Sequence, residues 1–133
     1  MCYSLCTIRM KLQKTKINFT DHRGHIRDIL ILKNVGITYI SSKKGTVRGN
    51  HYHKKTKQYE YVLSGSFEYH SKNIKEGKKI KKMLQAGHIV HIHPYDVHTF
   101  KALEDSEILS FNFGPSKGSE AHKDTFKPDK PLV

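Results

Sequence analysis

Short segments rich in β-branched and aromatic residues, separated by turn residues, run along most of the chain. About ten of them lie between residues 17 and 113, with Gly, Asn, Asp or Pro between them. None shows the 3.6-residue apolar period of a helix over a helical length. The pattern predicts an all-β fold in which two sheets pack as a sandwich or a jelly-roll barrel.

The 133 residues suffice for one domain with a proper core. The sequence predicts a disordered N-terminal extension over 1–16, a barrel over 17–113 and an irregular C-terminal tail over 114–133. Cys2 and Cys6 lie in the extension and are too few for a disulfide framework or a zinc site. No apolar run is long enough for a membrane span or a signal peptide, so a cytoplasmic location without membrane insertion is expected.

The formal net charge is +12, and four of the 24 basic residues are arginines. A positive field of this size attracts anions, including phosphorylated metabolites. Nucleic-acid binding usually needs arginines and aromatic residues interleaved on one face, whereas the lysines here cluster in one predicted hairpin, around residues 72–82. No nucleic-acid partner is therefore expected.

A His-x-His pair marks the candidate site. Residues i and i+2 of a strand point to the same face, so His51 and His53 project together, roughly 6–7 Å apart along the strand. Two such imidazoles can bind a metal ion, or can bind and deprotonate a substrate. Strict alternation also places Val47 and Gly49 on the face of His51.

Two further residues complete the candidate set. Gln58 begins the next predicted strand, and His98 follows the turn at Pro94. With His51 and His53 they supply three nitrogen donors and one amide oxygen, which suits Fe(II), Ni(II), Mn(II) or Zn(II) with positions open for a substrate. His91 and His93 share a face and either line the pocket or face solvent.

The spacing of these residues resembles the two conserved motifs of cupins, over residues 45–98. Gln58 stands where many cupins have Glu, and His93 and Tyr95 stand where the second motif usually has Pro and Gly. The resemblance implies a single-domain cupin jelly-roll barrel. The first block is Gly45-x5-His51-x-His53-x4-Gln58-x6-Gly65, and the second is Gly87-x5-His93-x4-His98.

Three groups of sugar cupins resemble parts of the chain more closely. Residues 48–66 resemble the dTDP-sugar 3,4-ketoisomerases, which have Gln at the position of Gln58 and work without a metal. Residues 19–24 and 48–52 resemble the dTDP-4-dehydrorhamnose 3,5-epimerases, in which the matching His is the base. The stretch GNHYH, residues 49–53, resembles the small metal-binding cupin domains of capsule-sugar enzymes.

The resemblance implies His51 as the catalytic base and His53 as a second acid/base or orienting residue. It implies Arg23 and Arg48 as contacts to the diphosphate, with Gln58 also binding substrate. The leading hypothesis is a dTDP-4-keto-6-deoxyhexose isomerase or epimerase of surface-polysaccharide synthesis, which takes a nucleotide-diphosphate sugar and needs no cofactor.

Two alternatives remain open at this stage. In one, His51, His53, Gln58 and His98 hold a divalent transition metal ion, in a small-molecule oxygenase or a metal-holding binding module. In the other, the domain binds a sugar or regulates without chemistry. In every case, edge strands left by an open jelly roll predict a homodimer formed through residues 17–41.

Overall fold

The computed structural model describes residues 9–133, and in this part of the chain ten strands form two antiparallel sheets. The predicted all-β architecture is confirmed. The strands are β1 (Phe19–Asp21), β2 (Gly24–Ile31), β3 (Gly36–Ser42), β4 (Val47–His51), β5 (Lys57–Ser64), β6 (Ser66–Asn73), β7 (Lys79–Gln85), β8 (Ile89–Ile92), β9 (Asp96–Ala102) and β10 (Ser106–Phe113), and a 3₁₀ helix spans Gly118–Asp124.

The two sheets interleave strands that are distant in sequence. The larger sheet has the order β1-β2-β3-β10-β5-β8, and the smaller has the order β4-β9-β6-β7. Consecutive strands such as β4 and β5 therefore lie in different sheets, so the chain passes repeatedly between the two layers. The crossing from one sheet to the other places the end of β4 opposite the start of β5. His51 lies at the end of β4, and Gln58 lies at the start of β5.

An apolar core fills one part of the space between the sheets. Phe67 and Phe100 meet edge to face in the smaller sheet, with ring centroids 5.7 Å apart. Ile108 and Phe100 belong both to the core and to the wall of a cavity, so the cavity rests directly on the core. The core residues are Val62, Phe67, Tyr69, Leu84, Ile92, Phe100, Ala102 and Ile108.

The two terminal segments differ in structure. Residues 9–16 form no strand or helix and are mostly exposed, although Arg27 Nη1 donates to the carbonyl oxygen of Thr15 at 2.9 Å. The rest of the predicted extension, with Cys2 and Cys6, lies outside the described residues. Residues 114–133 contain the 3₁₀ helix and pair with the barrel through an antiparallel bridge between Tyr52 and Phe126. No helix in residues 9–133 has the length and apolar character needed to cross a membrane.

Candidate functional site

A β-bulge in β4 aims the first histidine. The pairing of β4 with β9 shifts between Gly49 and His51, so that Arg48 stands opposite Phe100 and His51 opposite His98. All four of these side chains line the same cavity. Strict alternation therefore fails here: the extra residue at the bulge brings Arg48 and His51 to one face, although they are three positions apart.

Glycine is required at this bulge. Gly49 has φ +105°, and a Cβ added there would lie 2.4 Å from the carbonyl oxygen of His98. Asn50, at φ 55°, follows in the left-handed region that Asn tolerates better than most residues. Its side chain accepts a hydrogen bond from Thr99 Oγ1 at 2.8 Å, which holds the bulge against β9.

Three imidazoles meet beside this bulge. One ring nitrogen from each of His51, His53 and His98 lies within 4.8 Å of the others. The ring centroids of His51 and His98 are 4.5 Å apart, and that of His53 lies 5.1 Å and 5.3 Å from these two. The structure thus brings together the three histidines that the motif spacing selected. His91 and His93 are exposed and line no part of the cavity.

Two of these imidazoles are neutral at pH 7. Burial, followed by the nearby His53, lowers the pKa of His51 to about 4. Burial, followed by His51, holds the pKa of His98 well below its usual 6.5. Because desolvation and mutual repulsion both oppose a proton, each ring keeps a nitrogen lone pair. Neutral imidazole is the form that binds a metal ion.

Backbone carbonyl groups fix the orientation of the rings. His98 Nδ1 lies 3.0 Å from the carbonyl oxygen of Asp96, and His53 Nδ1 lies 2.8 Å from that of Asp124. A carbonyl oxygen only accepts, so each Nδ1 carries the proton and each Nε2 is left for another partner. Metal-binding histidines typically donate their second N–H to a fixed acceptor in this way.

Gln58 touches the cluster through one histidine. Its Oε1 lies 3.0 Å from His53 Nε2, and its Nε2 lies 2.5 Å from Asn112 Oδ1. All three side chains are buried. An amide oxygen and an unprotonated Nε2 are both acceptors, so Gln58 Oε1 does not hydrogen-bond to His53 but stands beside its open Nε2 as a further donor atom for an ion.

The cluster opens into a cavity of about 590 Å³, within the range of small-molecule sites. Its walls come from the inner faces of both sheets and from the C-terminal segment. Among the lining residues, Ile40 and Phe100 are apolar, whereas Glu60, Ser110 and Asn112 are polar and buried. The cavity can thus contact both the C–H and the hydroxyl groups of a ligand.

The structure separates the two arginines assigned to the diphosphate. Arg48 lines the cavity and is half-buried, with Nε donating to Ser42 Oγ at 3.0 Å and Nη2 to the carbonyl oxygen of Ser41 at 2.9 Å. Arg23 does not line the cavity: its Nη2 lies 2.7 Å from Asp21 Oδ2 in an ion pair. This guanidinium lowers the pKa of Asp21 to about 2.

Asp124 is a site-supporting residue that the sequence reasoning missed. Its carboxylate accepts from the backbone N–H groups of Lys54, Lys55 and Thr56 at 3.1, 3.0 and 2.7 Å, and from Thr56 Oγ1 at 2.8 Å. Burial acts to raise the pKa of Asp124, and these hydrogen bonds outweigh it, so the pKa lies below its ordinary value. The only signal was a turn at 54–56 whose N–H groups needed an acceptor.

The fold and these histidines define a cupin, and comparison with solved structures agrees. The capsular polysaccharide assembling protein CapF from Staphylococcus aureus superposes with a TM-score of 0.74 at 18% identity, over 90% of this chain and 34% of CapF. A single-residue variant of oxalate decarboxylase from Bacillus subtilis gives 0.69 at 20% identity, over 89% and 34%. An RmlC-like cupin from Shewanella frigidimarina gives 0.66 at 17% identity, over 82% and 89%.

The chain belongs to the polysaccharide biosynthesis C-terminal domain family, whose model matches residues 19–126. It is thus a cupin domain of a family of polysaccharide synthesis. The chain spans about a third of the length of CapF. No curated protein sequence matches it.

Proposed function

We propose that this domain is a metal-binding cupin that binds a nucleotide-linked sugar in polysaccharide synthesis. The observation that carries the proposal is the convergence of His51, His53 and His98 within 4.8 Å. The donor set fits a divalent transition metal ion, because three imidazoles, two of them with a fixed second nitrogen, leave positions open for a ligand. Such an ion, when bound, would supply Lewis-acid polarisation of a substrate oxygen.

The roles of the surrounding residues follow from their contacts. The three histidines would hold the ion, with Gln58 Oε1 beside them, and the Asp124 carbonyl group would orient the His53 ring. Arg48 lies on the same wall as His51 and carries the positive charge that a diphosphate needs. The family supports a saccharide as the ligand, because its members are domains of polysaccharide biosynthesis.

Elemental analysis tests the metal. Protein purified without a nickel column and incubated with Zn(II), Mn(II), Ni(II) or Fe(II) should retain about one ion per chain after dialysis. His98→Ala should lose it, whereas His91→Ala, a matched change at an exposed histidine outside the cavity, should keep it. Wild-type protein that retains none of the four ions would refute the metal centre.

A second candidate is the dTDP-4-keto-6-deoxyhexose isomerase or epimerase. The bulge in β4 favours it, since it places a neutral His51 and the cationic Arg48 on one cavity wall. His51 would take a C–H proton next to the keto group, and Arg48 would bind the diphosphate. The pKa of about 4 makes His51 a weak base at neutral pH, which is why the metal-binding role ranks first.

Solvent deuterium exchange separates the two candidates. An isomerase should exchange deuterium into a dTDP-4-keto-6-deoxyhexose, followed by NMR, and His51→Asn should slow exchange by roughly 10²–10⁴-fold without loss of substrate affinity. Arg48→Ala should instead weaken binding. Absence of exchange by metal-free wild-type protein, across several such sugars, would exclude this candidate and leave the binding function.

The proposal includes a homodimer formed through the N-terminal strands. Ile29, Leu30 and Ile31 of β2, together with Leu32, are each more than 40% exposed, and Phe19 in the edge strand β1 is 48% exposed. Exposed apolar residues close to a sheet edge favour a second copy of the chain. Light scattering should give twice the 15.4 kDa chain mass, and Leu30→Lys should reduce it to one chain.

A further inference from the structure

A row of four polar side chains crosses the inner face of the larger sheet. Asp28 of β2 pairs with Thr38 of β3, Thr38 with Ser110 of β10, and Ser110 with Glu60 of β5. All four line the cavity. Thr38 Oγ1 donates to Asp28 Oδ1 at 2.9 Å, and Ser110 Oγ donates to Glu60 Oε1 at 2.8 Å. We call these four residues the polar row.

The polar row is incomplete at its buried end. Glu60 is 5% exposed, and its Oε2 is buried with no hydrogen-bond partner among the described residues. An unpaired buried carboxyl oxygen destabilises the folded protein, because it loses water without gaining a partner. Such a group on a cavity wall is a position at which a ligand can supply the missing hydrogen bond.

The residues on either side of the polar row show that Glu60 is not simply part of a polar interior. On one side of Glu60 lie Ile40, Ile108 and Val62, which are apolar. On the other side Gln58 donates to Asn112, and Gln58 also contacts His53 of the histidine cluster. The polar row therefore lies between an apolar wall and the proposed metal centre, facing the same cavity.

We propose that the polar row is a subsite for the hydroxyl groups of the sugar, and that Glu60 is its specificity-determining residue. This inference rests on the proposed function, that the cavity binds a sugar. The hydroxyl hydrogens of Thr38 and Ser110 are used within the row, so their oxygen lone pairs accept from the ligand. Glu60 Oε2 supplies the remaining bond, while Ile40 and Ile108 contact the C–H groups.

The protonation of Glu60 agrees with this assignment. Burial raises the pKa of Glu60 to about 8, and the hydrogen bond from Ser110 opposes the shift. A carboxyl group that keeps its proton at neutral pH can donate from Oε2 to a ligand oxygen. The polar row then offers one donor beside several acceptors, which matches a ligand with several hydroxyl groups.

Calorimetry with two nucleotide sugars tests the subsite. Metal-loaded wild-type protein should bind dTDP-glucose or UDP-glucose at least about tenfold more tightly than the corresponding nucleoside diphosphate, since a hydrogen bond from a buried group is worth that much. Glu60→Met should reduce this preference to within twofold and leave binding of the diphosphate unchanged. Glu76→Met, a change at an exposed glutamate outside the cavity, should behave as wild type.

A second variant protects the test against misfolding. Glu60→Gln keeps the length and a hydrogen-bonding amide, so it should keep part of the sugar preference, and Thr38→Val should lower the preference without changing β3. If wild-type protein binds each nucleotide sugar no better than its diphosphate, or if the Glu60 variants keep the full preference, the subsite is overturned. Metal content measured on the same samples separates this failure from failure of the metal centre, because the polar row contains none of the three histidines.

Discussion

Asp124 and Glu60 are both buried carboxyl groups, 4% and 5% exposed, in opposite surroundings. Asp124 accepts four hydrogen bonds from residues 54–56, so its charge is fully compensated. Glu60 accepts one, from Ser110, and its second oxygen has no partner in the described chain. The C-terminal segment around Asp124 thus stabilises the fold, whereas a carboxyl oxygen of Glu60 on the cavity wall is left without a protein partner and can bond to a ligand.

The largest effect expected from this contrast is at Asp124. Asp124→Ala should lower the free energy of unfolding by about 3 kcal/mol or more, because three backbone N–H groups lose their acceptor together. Urea unfolding measures this change. Asp129→Ala, at an exposed position in the same segment, is the matched control and should lie within about 0.5 kcal/mol of wild type. Equal stability of the two variants would contradict the assigned role of Asp124.

Replacement of Glu60 should change the free energy of unfolding in the opposite direction. Glu60→Met should raise the free energy of unfolding by about 1–3 kcal/mol at pH 7, because it removes a desolvated carboxyl group and keeps the apolar volume. Ser110 can then turn towards Asn112 Oδ1, 3.4 Å away. The same urea experiment applies, and a destabilised Glu60→Met protein would mean that Glu60 supports the fold.

The two acids should also respond oppositely to pH. Glu60 has a folded pKa of about 8 against an ordinary 4.5, so its contribution is present below pH 4.5 and is lost as the pH rises through 8. Asp124 has a lowered pKa, so its contribution is present above pH 3.8 and is lost as the pH falls. Between pH 5 and 8 the stability advantage of Glu60→Met should grow by about 3–4 kcal/mol. Denaturation at several pH values measures this, and an advantage that stays constant would place Glu60 in solvent.

The smallest expected effect concerns the metal centre. Asp124→Asn keeps the backbone carbonyl group that bonds His53 but weakens the carboxylate contacts to residues 54–56, so the His53 ring should be held less firmly. Metal affinity should fall by about tenfold, as for other groups that orient metal ligands. Competition with a chelator measures the affinity. Glu60→Met should leave it unchanged, and a similar loss in both variants would show that the two regions are not independent.

Much of the fold was readable from the sequence because strand signals are local. Turn residues separated the apolar segments, and the structure has ten strands in residues 9–133, close to the positions predicted. The spacing of His51, His53 and His98 also predicted their convergence, since the cupin resemblance places both motifs at one end of the barrel. The strands needed only periodicity and turn residues, whereas the meeting of His98 with the other two histidines was implied by the resemblance to cupins.

The rest depended on tertiary contacts that no local pattern encodes. In β5 the polar Gln58 and Glu60 are buried while Tyr59 and Tyr61 are partly exposed, because the inner face borders a cavity and not only a core. Strict alternation puts Arg48 and His51 on opposite faces of β4, whereas the bulge at Gly49 puts them on the same face. Asp124 reaches its partners across about 70 positions of sequence, and nothing in the lysine-rich tail distinguishes it from Asp129 as the residue that makes that contact.

The carbonyl group that steadies His53 comes from a residue 71 positions later in the chain. An unfinished polypeptide that ended before Asp124 would contain all three imidazoles and all ten strands, yet its His53 ring would be unanchored. Contacts this distant form late, because closing a long loop costs chain entropy before any bond is gained. Acquisition of the proposed metal ion would therefore report that the chain had been synthesised past Asp124 and had folded.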